Sequence, residues 1–265
     1  MIDVRSPGEF EQGHIPGAIN VPLFNNEERS IIGTAYVQVS REEAVKIGYE
    51  IANPKIGSFI SNVQNIVNKE PSTLNLQPET ILIHCWRGGM RSSKFAELLN
   101  THGYKTHTLV KGYKAFRNFV LERFSPDKCR ELEILIVGGE TGSGKTEILK
   151  NLAAMGEQVI DLEAIAHHKG SAFGSLGEKP QPSYEHFENK LWAAFSKLDL
   201  SKRIWLEDES RNIGKTQIPL ALWEKMKQAP VFRVNIPKTL RIERLMNDYG
   251  NFSKEELKEL SLIHI

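Results

Sequence analysis

The chain has 265 residues, more than one compact domain usually needs and enough for two of ordinary size. Its 34 Lys and Arg against 33 Asp and Glu leave a formal charge of +1, which excludes a globally basic nucleic-acid coat and an acidic tail, and 40% apolar with 25% charged residues is a globular composition. No stretch reaches the roughly 18 to 20 apolar residues of a membrane span, and Cys85 and Cys129 cannot frame a disulfide scaffold, so a cytoplasmic protein with no membrane partner is expected.

The chain opens on the apolar run 1–4, so no signal peptide is expected, and turn-formers follow at Ser6-Pro7-Gly8 and at 13–18 before a second short run at 19–22. Residues 41–52 place Ala44, Val45, Ile47, Ile51 and Ala52 on one helical face behind Ser40 as N-cap. Strands are expected at 81–83 and 106–110, each followed by a helix, at 92–99 and 113–124. Ser125-Pro126 breaks that helix, and 126–131 reads as a linker between a first domain at 1–125 and a second at 132–265. The second domain starts with a strand at 134–137 and a helix at 146–154, with later strands at 159–160, 204–206 and 231–236. Alternating strands and helices predict parallel α/β sheets in both halves. Residues 261–265 are apolar and lack a helix stop signal, so a chain shortened at both ends, with its second domain truncated, is expected.

Between the strand at 81–83 and its helix lies His84-Cys85-Trp86-Arg87-Gly88-Gly89-Met90-Arg91-Ser92. Glycines there let backbone N–H groups turn inward to hold an anion, and the following helix adds its positive end. Cys85 on the floor of such a loop is expected to be an activated nucleophile, with Arg87 and Arg91 neutralising the bound anion. Cys129, in a charged stretch without glycines, has no such support. A sulfurtransferase and a cysteine phosphatase share this chemistry, and the loop alone leaves both open.

Gly139-Glu140-Thr141-Gly142-Ser143-Gly144-Lys145-Thr146 satisfies G-x-x-x-x-G-K-[ST] between a strand and a helix, the context this phosphate loop requires. Its amides from Gly142 to Thr146 and Lys145 would hold a di- or triphosphate, with Thr146 as a magnesium ligand. The run 204–206 ends in Glu207-Asp208-Glu209, where Asp208 or Glu207 would reach the same metal. Asp161, His167 and His168 follow another strand and are expected to face the phosphate site, together with Arg211. Residues 87–130 hold ten Lys and Arg against three acids, and Lys111, Lys114 and Arg117 are the candidates there for an RNA backbone.

The opening strings 2–10 and 13–22 resemble the start of a rhodanese domain, in which Asp3, Arg5 and His14 are structural rather than catalytic. Many single-domain rhodaneses place the loop arginine one residue nearer the cysteine, and the longer spacing here implies a wider cradle. The order of the two domains, with the strings at 25–29, 33–36, 87–92, 111–115, 161–163, 169–174 and 206–211, resembles the tRNA 2-selenouridine synthases, a rhodanese domain fused to a P-loop domain. That resemblance implies exchange of sulfur for selenium at wobble 2-thiouridine of tRNA through an S-geranylated intermediate. It also implies geranyl diphosphate at the phosphate loop, selenophosphate at the Cys85 loop, and a selenophosphate-supplying enzyme as a partner. Whether Cys85 carries selenium covalently, and whether the phosphate loop also takes ATP, stay open. The alternatives are a sulfurtransferase or phosphatase coupled to a nucleotide-binding domain, and a P-loop ATPase or kinase with a rhodanese-like binding module.

Overall fold

The structure is a computed structural model that describes residues 1–69, 80–171, 173–250 and 252. The expected chain end at 261–265 and Ala172 of the 169–174 string lie outside the described residues. The chain divides into two compact units between Phe119 and Val120.

The first unit runs β1 (Ile2–Asp3), α1 (Pro7–Gln12), β2 (Ile19–Asn20), α2 (Asn26–Gln38), α3 (Arg41–Ala52), a single 3-10 turn, α4 (Ile56–Lys69), β3 (Ile81–His84), α5 (Met90–Thr101), β4 (Thr106–Thr108) and α6 (Gly112–Arg123), the last crossing the division. The strands form a parallel sheet in the order β2-β1-β3-β4. Its core joins Ile2, Val4, Ile81, Ile83 and Cys85 from the sheet to Phe59 and Val63 of α4 and to Phe95 and Leu99 of α5. Two capping boxes start the early helices: Ser6 with Glu9 at α1, and Asn25 with Glu28 at α2. Ser40 caps α3, accepting from the Glu43 amide at 3.0 Å, so that helix begins and ends where its periodicity places it.

Asp3 and Arg5 account for the polar residues of the opening strand. Both are almost wholly buried, 0% and 1% exposed, and the Arg5 guanidinium donates to the Asp3 carboxylate at 2.6 Å and to the Gly13 carbonyl at 2.7 Å. It also lies 3.8 Å from the centre of the Tyr113 ring. The pair ties β1 to the turn after α1 and to the start of α6, the structural role the sequence resemblance implied.

The second unit contains α7 (Pro126–Arg130), β5 (Ile134–Gly138), α8 (Lys145–Ala154), β6 (Gln158–Val159), α9 (Leu162–Ala166), α10 (Tyr184–Phe195), β7 (Ile204–Glu207), β8 (Asn212–Ile213), β9 (Thr216–Gln217), α11 (Leu220–Lys227), β10 (Val231–Arg233) and α12 (Lys238–Tyr249). The parallel sheet has the order β10-β5-β7-β6, and β8 and β9 make an antiparallel hairpin. Both units are therefore α/β with parallel sheets. Residues 126–131, expected as a linker, are instead helical and packed: Cys129 is 1% exposed and the Lys225 ammonium donates to the Arg130 carbonyl at 3.0 Å. Ser125-Pro126 stops one helix but also starts another, because proline suits the first helical position.

Asp3→Ala should destabilise the chain by about 3–5 kcal/mol, since it strands a buried guanidinium without its counter-charge. Urea unfolding of the two proteins measures this, and a loss under 1 kcal/mol would contradict the buried-pair role.

Candidate functional site

Cys85 directly follows the last residue of β3, at the carboxyl end of the first sheet. The chain then turns through Gly88, at φ +63°, and enters α5 behind Gly89. Gly88 and Gly112 belong to loops that follow neighbouring strands, and they press against each other. A Cβ on Gly88 would lie 2.8 Å from the Gly112 amide nitrogen and 2.5 Å from the Leu109 oxygen. One on Gly112, at φ +57°, would collide with the Cys85 carbonyl and the Gly88 amide. The Tyr113 amide donates to the Cys85 carbonyl and that of Lys114 to the Trp86 carbonyl, both at 2.9 Å. The Lys111-Gly112-Tyr113 string is thus the buttress of the cysteine loop.

The Cys85 thiol is 3.3 Å from the Ser92 hydroxyl. Burial pushes its pKa up, but hydrogen bonding to Ser92 (side chain and amide), the charge of Arg91 and the Gly89 amide outweigh that and leave it below the ordinary thiol value. Cys129 has no such surroundings, and burial pushes it up to about 11. Behind the loop, burial likewise holds the pKa of His84 below its usual value, even with Asp3 at 3.7 Å. Arg91, expected to neutralise the bound anion, donates to Glu9 at 3.0 Å, with Arg29 3.7 Å away on the same carboxylate. The capping box at Ser6 aims Glu9 at this arginine, so Arg91 acts on Cys85 through its field while its own hydrogen bond goes elsewhere. Arg87, Gly89 and Met90 are exposed and Trp86 is half-buried. Lys111 and Lys114 are exposed on the adjacent loop and helix, whereas Arg117 is half-buried.

In the second unit β5 and β7 are neighbours, paired Val137 to Glu207, so the phosphate loop and the acids after β7 emerge side by side. Gly139, Gly142 and Gly144 take φ values of +156°, +79° and +83°, bending the loop ahead of α8. Lys145 donates to the Gly139 carbonyl at 3.1 Å, across the mouth of the loop. Ser143 is 3% exposed and its hydroxyl has no hydrogen-bond partner among the described residues. A buried hydroxyl of this kind fits a phosphate oxygen. Thr141 is exposed, and Thr146 is half-buried in the first turn of α8.

The acids divide into two kinds. Asp208 is exposed. Glu207 is fully buried, accepts from the Glu163 amide at 2.9 Å, and is pushed up to about 8 by burial, then by Glu163 and Asp161. Glu163 and Glu209 are also raised, chiefly by burial, and both carboxylates abut Gly170. Burial and the neighbouring acids thus favour the protonated form of Glu207, while Asp208 is the exposed acid at the strand end. Among the described residues no group of three or more His, Cys, Asp or Glu is arranged to hold a metal ion.

Asp161 caps α9 by accepting from the Ala164 amide at 2.8 Å. His167 ends that helix at φ +53°, with ring nitrogens 2.9 Å from both the Pro180 carbonyl and the Lys190 ammonium. The His168 ring sits where a Cβ on Gly174 or Gly214 would touch it, at 2.7 Å. Asp161 also raises Glu207 and Glu163, whose carboxylates feel Lys145 of the phosphate loop, whereas the contacts of His167 and His168 hold loops in place. Arg211 precedes β8, and its Nε is buried without a hydrogen-bond partner among the described residues.

Four neighbours of the phosphate loop escaped the sequence reading as site residues. Arg241 pairs with Glu140 inside the loop, and Arg244 pairs with Glu147 at 3.2 Å while its guanidinium lies directly on Gly144. Their i, i+3 spacing on α12 was the only available signal. Glu163 and Glu209 were visible within acidic strings, but only folding brings them together beside Glu207 and Lys145.

Ser92→Ala should slow alkylation of Cys85 by iodoacetamide at neutral pH by a factor of about three or more and move the pH midpoint of that reaction upward. Cys129 should stay unlabelled in both proteins. An unchanged midpoint would remove Ser92 from the activation of the thiol.

Two family models match the chain: a rhodanese-like domain over residues 1–119 and a tRNA 2-selenouridine synthase AAA domain over residues 132–261. The tRNA 2-selenouridine synthase of Nitrosomonas europaea is 36% identical over 255 residues, covering 94% of this chain and 63% of the relative. That of Bdellovibrio bacteriovorus is 37% identical over 253 residues, covering 94% and 64%. That of a Sulfurovum species is 35% identical over 263 residues, covering 98% and 68%. The chain thus spans a little under two thirds of the length of the first two relatives. With a cysteine loop and a phosphate loop in the matched order, this chain belongs to the tRNA 2-selenouridine synthase family.

Proposed function

We propose that the chain is a tRNA-modifying transferase that replaces the 2-thio sulfur of a wobble 2-thiouridine by selenium, in two half-reactions divided between its units. What carries this reading is the presence, on one chain of this family, of two anion cradles of different chemistry. One is built on a thiol with a lowered pKa, the other on a phosphate loop whose buried Ser143 hydroxyl has no partner among the described residues. A single phosphoryl-transfer or sulfur-transfer activity would call for only one of them.

In the first half-reaction the thio sulfur attacks C1 of geranyl diphosphate, the C–O bond breaks, and diphosphate leaves with the electron pair. Lys145, the loop amides and Ser143 would meet the charge that develops on it. Thr146 and Asp208 would hold a magnesium ion, which supplies further neutralising charge. In the second, the selenium of selenophosphate attacks C2 of the base and geranylthiol departs, alkylation having made the sulfur a better leaving group. Transfer of the remaining phosphoryl group to water releases the selenouridine. The Cys85 loop amides and Arg87 would hold selenophosphate, and Lys111, Lys114 and Arg117 would meet the RNA backbone. No described helix is long and apolar enough to cross a membrane. A cytoplasmic site, within reach of tRNA and of an enzyme that supplies selenophosphate, is part of the same proposal.

Cys85→Ala should abolish selenation while leaving geranylation within about twofold, and Lys145→Ala should lower geranylation about 100-fold. Mass spectrometry of nucleosides from a 2-thiouridine RNA, given geranyl diphosphate with and without selenophosphate, reads both steps. Equal loss of both in Cys85→Ala would contradict the division. Turnover of thiosulfate or an aryl phosphate without selenation would favour the sulfurtransferase or phosphatase reading, and ATP hydrolysis lost in Lys145→Ala would favour the ATPase.

A further inference from the structure

The first unit contains an open groove of about 960 Å³ whose lining includes Cys85, Trp86 and Gly89 of the cysteine loop together with residues of α2, α3, α4 and α5. That volume is near the upper end for small-molecule sites, far more than a phosphate-sized anion at the Cys85 loop requires. Its walls are largely apolar: Ile32, Tyr36, Val45, Tyr49, Phe59 and Met90 all contribute. Several of these side chains stand open to solvent, Tyr36 at 60%, Met90 at 45% and Tyr49 at 44%, and Val37 beside them is 82% exposed. Apolar side chains gathered around one groove and left exposed mark a surface that receives something apolar.

The groove exists because α3 turns Ala44, Gly48 and Ala52 toward it at four-residue intervals, leaving room that larger side chains would occupy. Around the apolar walls, Arg29, Arg41, Arg87 and Lys94 also line it. The acid on the same lining is Glu97, which already accepts from Lys94 at 2.7 Å. The excess of positive charge suits phosphates, and the walls suit a hydrocarbon. Continuity with the Cys85 thiol requires that hydrocarbon to be attached close to the reacting atom.

We propose that this groove receives the apolar chain of an S-alkylated 2-thiouridine, with the RNA phosphates along its cationic lining and the modified base beside the Cys85 loop. The geranylated intermediate of the reading above is the occupant that meets all three conditions, and for the identity of the chain the proposal rests on that reading. The groove would then select the alkylated RNA for the second half-reaction, because 2-thiouridine itself has nothing to place there.

The test is direct binding, which needs no turnover. Anticodon stem-loop RNAs carrying S-methyl-, S-butyl- or S-geranyl-2-thiouridine are titrated with the full chain by fluorescence anisotropy. Affinity should rise with chain length, by about 30-fold or more from methyl to geranyl. The double substitution Tyr36→Ser and Tyr49→Ser should weaken the geranyl probe by about tenfold and leave the methyl probe unchanged. Val37→Ser, at a position 82% exposed, should weaken the geranyl probe in the same way without disturbing the core or the charge of the groove. Affinity independent of chain length, or a length dependence that both variants leave intact, would overturn the proposal, as would equal weakening of all probes. Length-dependent binding by a protein that neither geranylates nor selenates would count against the two-step reading and leave the groove assigned to an apolar chain.

Discussion

Everything at the cysteine loop depends on a contact too close for a side chain. Gly88 and Gly112 bring the loops after β3 and β4 together so tightly that a methyl group on either would strike the backbone of the other. Both adopt positive φ, so conformation and space demand the same residue twice. The contact lets the amides of Tyr113 and Lys114 hold the carbonyls of Cys85 and Trp86. With those carbonyls held on the outside, Cys85 keeps to the mouth of α5, where the Ser92 and Gly89 amides and the field of Arg91 favour its thiolate. The buried Asp3–Arg5 pair underlies this, since Arg5 packs on the ring of Tyr113.

The two units treat charge in opposite ways. In the first, hydrogen bonding and a neighbouring cation outweigh burial, and an acid is made stronger. In the second, burial and mutual repulsion win, and Glu163, Glu207 and Glu209 are made weaker acids. The second unit's phosphate loop is thus less negative at neutral pH than its sequence suggests. The carboxyls that Lys145 feels are weaker acids than free ones, a setting that lowers the negative charge an approaching diphosphate meets. Only after folding does this distinction exist, because the five residues 207–211 look uniformly polar along the chain.

Local signals were legible where a single element carried them. Ser40 and the apolar face behind it set both ends of α3, and the glycines and lysine of 139–146 announced a strand, a phosphate loop and a helix in that order. The cysteine loop was readable for the same reason, since Gly88 and Gly89 lie within a few residues of Cys85. Residues 126–131 misled because Ser-Pro both ends and begins helices, and the burial of Cys129 that decides between them is a property of packing. The position of Asp161, His167 and His168 after a strand was legible along the chain, whereas the cap and the loop contacts their side chains make are set by packing.

By itself, the sequence determined the α/β class of both units, the two glycine-bearing loops and the position of Cys85 within the first of them, because each is written in residues adjacent along the chain. Tertiary structure alone decided which charges those loops meet. Glu9 reaches Arg91 across 82 positions, Glu163 reaches Glu207 across 44, and Arg244 lies on Gly144 from a helix that starts at Lys238. It also decided that α2, α3, α4 and α5 would leave a groove open beside Cys85. Hydrophobic periodicity reports which face of a helix is buried; it does not report how far apart two buried faces come to rest, and that separation is what makes a binding site.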